Sequence, residues 1–380
     1  MGRGTSSGLS PRLPPAALRR IAEMKRYLRH IVLQAAAAVG IAAAAAACMD
    51  YGPHEEEAFR MPQRGVFIAS EGNFTWDNAS LSFYDPATGR LENEIFIRAN
   101  GMKLGDVAQS MSIHRGRGYV VVNNSGVIYV IDPDTFRVEG LIEGVVSPRY
   151  IHFLENDPET AYVTDLYDAR ITVVDLTTNR IRGRIGMNGH RSTEQMVQWG
   201  DFVFVNCWSY DDRILVVDAT CDRLVDSIRV GWQPTSLALD RNGKIWTATD
   251  GSDGSGAALW RIDAATRRIE ERFPLPAGAM PSELTLNGDR DRLFYIARDV
   301  WSMDVGAETL PDEPFLRYTE TTYYGLAVDP ETSEVYVADA IDYMQHGAVY
   351  RFTPDGRCTD TLRVGITPGA FCFKPARTQP

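Results

Sequence analysis

One pattern repeats along this chain at a period near 45 residues, and no other feature limits its fold as much. The clearest copy runs from Ala161 to Ile185, AYVTDLYDARITVVDLTTNRIRGRI. It reads as three short strands, AYVTD, RITVVD and RIRGRI. The first two alternate apolar and polar residues, the period-2 signature of a half-buried strand. Leu166 to Ala169 form a polar loop between them, and Leu176 to Asn179 a tight turn in residue types that favour turns. A fourth strand, SPRYIHF (Ser147 to Phe153), precedes the unit. Four antiparallel strands in about 40 residues is the size of one propeller blade.

The best marker of the repeat is the Asp that ends the third strand. It stands at Asp85, Asp132, Asp175, Asp218, Asp263 and Asp304, with Thr353 in the seventh place. After most markers comes a turn, as in DPATGR, DPDTFR, DLTTNR, DATCDR and DAATRR. An Asp opening such a turn hydrogen-bonds the backbone two residues on. The innermost strand recurs as AQSMSIH, SPRYIHF, EQMVQW, QPTSLAL, PSELTLN and YYGLAVD. The segments alternate at period 2 and not 3.6, which argues for a propeller more than for a helical array.

The ends settle the blade count. The first blade begins at Gly65 with GVFIASE and lacks an inner strand. The last strand-like segment, Thr367 to Phe373, is an inner strand with no blade after it. One missing and one spare strand predict circular closure, which removes the edges that an open sheet would expose. The expected fold is therefore all-β: a seven-bladed β-propeller over residues 65–373, four antiparallel strands per blade, closed by the C-terminal strand. Residues 374–380 read as a tail.

Residues 1–47 read as a leader. Its first 23 residues are polar and contain Pro and Arg. From Met24 the chain shows a basic n-region, then a 17-residue apolar run from Ile31 to Ala47, then Cys48. That order is a secretory signal. The run is short and Ala-rich for a membrane span. AAAC at 45–48 resembles a lipoprotein box, with Ala45 where Leu is usual, so Cys48 is the expected lipidation site. Residues 48–64 read as a flexible acidic tether; Asp50, Glu55, Glu56 and Glu57 resemble surface-export signals of lipoproteins in the Bacteroidota. The leader holds seven Lys/Arg and one Glu, which leaves −17 on the rest of a chain whose total is −11. That balance disfavours nucleic-acid binding, which needs a basic footprint.

The two faces of such a propeller differ. The strand 1–2 and 3–4 connections are short charged turns such as HRGRG, ENDPET and DRNGK. The strand 2–3 and 4–1 connections are rich in aromatics and amides. They give the candidate ligand-binding residues Asn73, Phe74, Trp76, Asn124, Arg149, Tyr167, Gln195, Trp208, Tyr210, Trp232, Gln233, Tyr324 and Tyr343. Aromatics with polar tips, interleaved with amides, suit a large ligand that is part flat and apolar, part amide-edged. Some residues of this face are expected to pack between blades instead, Tyr150 and Tyr323 first.

No catalytic residue is expected. None of the six histidines sits in a Ser/His/Asp-like or HExxH spacing. DGSDGSG, Asp250 to Gly256, lacks the full ligand series of a calcium loop and reads as a flexible loop. The cysteines beyond Cys48, at 207, 221, 358 and 372, have no zinc spacing and no natural pairing, so neither a metal site nor a disulfide is expected.

AYVTD followed by RITVVDLTTNR resembles the YVTN repeat of YncE-like propellers. Longer strings, among them RANGMKLGDVAQSM, VVNNSGVIYVID, FVNCWSYDDRIL and EVYVADAIDY, are similar to the surface cobalamin-capture lipoproteins of Bacteroidota, the BtuG type. The likeness runs from about Gly65 to Phe373. It implies a lipid-anchored propeller on the outer-membrane surface, not an enzyme. It implies that the propeller binds vitamin B12 and related corrinoids and passes them to a TonB-dependent outer-membrane transporter. The alternatives are a metal-dependent, lactonase-like propeller hydrolase and a protein-interaction scaffold.

Overall fold

The computed structural model describes residues 60–61 and 63–376. The leader, Cys48 and the acidic cluster lie outside them. Seven antiparallel sheets follow one another along the chain, each from one copy of the repeat. Blade 1 holds 65–92, and blades 2 to 7 hold 108–143, 148–186, 193–229, 234–274, 282–304 and 323–366. Six of the seven inner strands open their own blade. The seventh, Pro368–Lys374, returns to pair with Gly65–Ser70 of blade 1, with Val66 opposite Phe373 and Ile68 opposite Phe371. The spare strand therefore fills the vacant place, and the ring is closed.

Blade 6 departs from the common plan. Its first three strands are complete, but its outer strand is reduced to one bridge in which Val300 and Leu316 exchange both backbone hydrogen bonds at 3.0 Å. The reason lies in the segment itself. Pro311 and Pro314 carry no N–H to donate, so a longer ladder cannot form there.

The second strands are more buried than their alternation implies. Thr160–Asp165 is buried at every residue, and so is Gly65–Ser70. A blade interior is covered on both faces by its neighbours, so polar positions such as Thr160 and Thr164 must also be dry. Seven apolar clusters result, one in each seam between adjacent blades. In the seam between blades 1 and 2, Phe67, Phe83 and Phe136 meet edge to face or tilted, at ring-centroid distances of 4.9–5.7 Å. Stability is thus spread around the ring, which lets a chain of this length fold as one unit without one large core.

Two chain ends are tied down beyond the expected boundaries. Met61, assigned by sequence to the tether, is buried in the blade 1–2 seam, and its N–H donates to the Asp134 carbonyl at 2.8 Å. Lys374, assigned to the tail, ends the closing strand. It is buried against Asp134, with its ammonium 2.6 Å from the carboxylate. A short helix, Ile95–Asn100, lies between blades 1 and 2 and buries Ile95 and Phe96 in the same seam. Among the described residues no helix is long and apolar enough to cross a membrane.

Candidate functional site

Every inner strand enters from the aromatic face and loses register within its first residues. The shifts fall between Ala108 and Ser110, Pro148 and Ile151, Thr193 and Met196, Pro234 and Ser236, Ser282 and Leu284, and Tyr323 and Leu326. The closing strand shifts at its own start, opposite Ser70. A bulge leaves a residue unpaired and re-aims its side chain. The second residue of each inner strand is thereby freed: Gln109, Arg149, Glu194, Thr235, Glu283, Tyr324 and Gly369. One comes from each blade. At Gly369 a Cβ would stand 2.9 Å from the Glu71 carboxylate and 3.1 Å from the Tyr324 ring, so the glycine leaves room for both.

These residues make a charged ring at the channel mouth. Arg149 Nε donates to both oxygens of Glu194, at 2.7 and 2.9 Å, and Nη1 donates to Gln109. The Tyr324 hydroxyl donates to Glu71 at 2.9 Å. Burial pushes the Glu71 and Glu194 carboxyls above their ordinary range, although Tyr324 and Arg149 respectively oppose this. Glu283 has no such partner among the described residues. Burial first, then the charges of Glu71 and Glu194, push it up to about 8. The Tyr150 and Tyr324 hydroxyls are also held well above their usual range by burial. Beyond the ring, toward the opposite face, lies a cavity of about 580 Å³ lined mainly by apolar residues, among them Met111, Ile151, Met196, Leu237 and Phe371.

Around this mouth stand the aromatic loops. Tyr210 is 84% exposed, Phe74, Trp76 and Tyr167 64% each, Tyr343 46% and Trp208 39%. Their backbones are fixed although their rings are bare. Asp165 accepts the Tyr167 N–H at 2.9 Å, and Trp208 N–H donates to the Ser192 carbonyl at 2.9 Å. Tyr210 and Tyr343 hold left-handed backbone, with φ of 57° and 61°. That conformation costs a residue with a Cβ about 1–2 kcal/mol.

The remaining sequence candidates sit deeper or hold the loops. Asn73 bridges blades 1 and 7, donating to the Tyr343 carbonyl at 2.6 Å, and the Tyr324 and Tyr343 rings meet edge to face at 5.7 Å. Asn124 donates to Asp106 at 2.6 Å. The Gln195 oxygen accepts the Leu237 N–H of the next blade at 2.9 Å. Gln233 takes the Tyr210 N–H at 3.2 Å and donates to Asp250 at 2.6 Å, while Trp232 is half-buried beside it. Arg149 and Tyr324 belong to the charged ring. Of the two residues expected to pack away, Tyr150 lines the cavity, whereas Tyr323 is half-buried and its hydroxyl donates to the Arg317 carbonyl at 3.4 Å.

Sequence reasoning missed the ring as a unit, since Glu71, Gln109 and Glu283 were not singled out. For two of them the signal was available: Gln109 and Glu283 are each the second residue of an inner-strand copy, whereas Glu71 follows the second strand of blade 1 and shares no such offset. It also missed a trio in blade 4, His190, Cys207 and Asp211, whose ligating atoms lie within 4.8 Å of one another.

A family model described as a domain of unknown function (DUF5074) matches residues 64–353. The uncharacterized protein YncE of Escherichia coli K12 is 27% identical over 165 residues, 40% of this chain and 45% of YncE. YncE of Escherichia coli O157:H7 matches to the same extent. The chain thus matches less than half the length of these relatives. Among solved structures, a quinonprotein alcohol dehydrogenase-like protein from Bacteroides thetaiotaomicron superposes with a TM-score of 0.63 at 15% identity, covering 83% of this chain and 79% of that one. A protein from Lactobacillus plantarum gives 0.60 at 16%, covering 82% and 99%. At such identities the likeness is one of fold.

Proposed function

The chain belongs to the DUF5074 family of YncE-like β-propellers, and from that premise we propose that it captures a corrinoid of the vitamin B12 class on its aromatic face. The observation that carries this reading is the bare aromatic rim. Phe74, Trp76, Tyr167, Trp208, Tyr210 and Tyr343 leave their rings in solvent around one mouth, on loops whose backbones are already hydrogen-bonded. Exposed apolar area gathered on one face marks a surface that is meant to be covered. A corrinoid is a broad macrocycle fringed with amides. Flat rings with few rotors stack on it at little entropic cost, and the phenol and indole tips reach its edge. Each neutral hydrogen bond adds only about 0.5–1.5 kcal/mol, so affinity rests on many contacts with a preorganised rim.

The wider reading follows the resemblance in sequence. The propeller is anchored through a lipidated Cys48 on the outer-membrane surface and hands its ligand to a TonB-dependent transporter, without chemistry on the way. Cys48→Ala then releases the protein from the membrane fraction. Calorimetry with cyanocobalamin is the direct test: saturable one-to-one binding is expected, with the ligand recovered unchanged by mass spectrometry. Absence of binding at millimolar ligand removes the corrinoid reading, and a hydrolysed product replaces it with the enzymatic one.

A further inference from the structure

The trio in blade 4 is assembled by three hydrogen-bonded segments. Cys207 ends the second strand, Phe202–Cys207, opposite Thr193 of the inner strand. His190 lies in the connection entering the blade, where its N–H donates to the Met187 carbonyl at 3.0 Å. Asp211 lies in the loop after Cys207, where its carbonyl accepts the Gln233 N–H at 2.8 Å. The Asp211 carboxylate is divided. Oδ1 accepts the Asp212 N–H at 2.8 Å, which leaves Oδ2 facing His190 Nδ1 at 2.7 Å. Cys207 Sγ completes the group within 4.8 Å of both. The thiol is buried, and the His190 and Asp211 side chains are part-exposed, so the trio is open on one side.

We propose that His190, Cys207 and Asp211 form a three-ligand site for a divalent cation of the zinc class, with a fourth position open to solvent. One nitrogen, one sulfur and one oxygen are a borderline donor set. Calcium and magnesium take oxygen alone, whereas zinc accepts all three atom types and keeps an open position when the protein supplies three ligands. Tetrahedral zinc with bonds of about 2.0–2.3 Å holds its ligand atoms roughly 3.3–3.6 Å apart. The His190–Asp211 pair must therefore open by about half an ångström and Sγ must close in by about one, both within side-chain rotation. On binding, the Cys207 thiol gives its proton to solvent and the imidazole keeps its one proton on Nε2. Two anionic ligands and one neutral ligand then balance the dication.

Such an ion braces the loop between Cys207 and Asp211, which carries Trp208 and Tyr210. Its effect on corrinoid affinity rests on the function proposed above; its existence does not. Protein stripped with a chelator is titrated with Co²⁺ and then Zn²⁺. One ion per chain is expected, with a thiolate-to-cobalt charge-transfer band that Zn²⁺ abolishes and that Cys207→Ser lacks. His190→Gln, at a part-exposed position, keeps the fold and lowers Zn²⁺ affinity by at least about tenfold. Absence of the charge-transfer band overturns the site, as does Zn²⁺ binding that is unchanged in both His190→Gln and Asp211→Asn. Cyanocobalamin calorimetry on the zinc-free protein tests the rim separately, so either reading can fail alone.

Discussion

The two faces of the propeller finish the same strands in different ways. On the face away from the aromatics one turn is used again and again. Asp85, Asp132, Asp175, Asp218 and Asp304 each accept the N–H two residues on, at 2.7–2.9 Å. Four residues after the first four of these Asp residues, and after Asp263, stands a left-handed residue: Gly89, Phe136, Asn179, Asp222 and Arg267. On the aromatic face the connections vary far more in length, although Asp165, Asp250 and Asp339 there also accept the N–H two residues on, at 2.8–2.9 Å. The strand 2–3 loop of blade 6 is Arg298 alone, while that of blade 1 spans 71–79. The repeated turn is a folding device, because each blade needs its outer hairpin closed. The individual loops answer to something other than folding, and they carry the bare rings and the charged mouth.

This contrast presumes a rigid ring beneath both faces, and its sharpest test is to open that ring. Removal of residues 366–380 deletes the closing strand, which pairs along the whole of Gly65–Ser70. It strips Phe371 and Phe373 from the blade 7–1 seam and Cys372 from the 1–2 seam, and it removes the Lys374–Asp134 pair. The expected outcome is loss of the single cooperative thermal transition seen by circular dichroism. A truncated chain that melts like the full one would mean that the ring is not closed through this strand.

With the ring intact, binding should belong to one face. Trp208→Ala with Tyr210→Ala is expected to weaken cyanocobalamin binding by about 2 kcal/mol or more, at least tenfold in Kd. The melting temperature should barely move, because both rings are exposed in the free protein. Normal affinity in this double variant, measured by calorimetry, would shift the site away from blade 4.

The charged ring offers a third test, through pH. Glu283 has an ordinary value of 4.5 and is pushed up to about 8 in the folded protein. The folded chain therefore holds this proton more tightly than the unfolded one. Its contribution is fully present below pH 4.5 and is lost as pH rises toward 8. Glu283→Gln removes the charge that appears on that rise. It should raise stability above pH 8 by on the order of 1–3 kcal/mol and leave it unchanged near pH 4. Denaturant titrations at the two pH values check this, and an equal effect at both would show that Glu283 keeps its ordinary affinity for protons.

Much of the fold could be read from the chain because the repeat writes it many times. The Asp markers sit where the third strands end, and the unmatched segments at 65 and 367–373 pair as expected. What escaped was whatever breaks a period by one residue. The bulges that free Glu283 and Arg149 fall within the first residues of their strands, where too little alternation precedes them for the shift to show. Met61 docks through one side chain and a backbone hydrogen bond, with no pattern before it. The Ile95–Asn100 helix is too short to show a 3.6 period. His190 and Cys207 are brought together across the blade by the pairing of Thr193 with Cys207, and no spacing rule encodes that closeness.

The smallest expected effect is the most exacting for the two-face contrast. Arg241 lies in the DRNGK turn of the far face, where its guanidinium meets Asp291 of blade 6 at 2.9 Å. Both side chains are reached by solvent, and an exposed pair of this kind is worth about 0–1 kcal/mol after screening and side-chain entropy. The backbone bond from Arg241 N–H to the Arg290 carbonyl, 3.0 Å, survives truncation of the side chain. Arg241→Ala should therefore shift the melting temperature by no more than about 2 °C and leave cyanocobalamin affinity unchanged. The turn is anchored by the Asp240 carboxylate, which takes the N–H groups of Asn242 and Lys244 and the Trp246 indole N–H, so little can propagate through it. A tenfold loss of affinity in Arg241→Ala, alongside normal binding in the Trp208/Tyr210 variant, would reverse the assignment of the two faces.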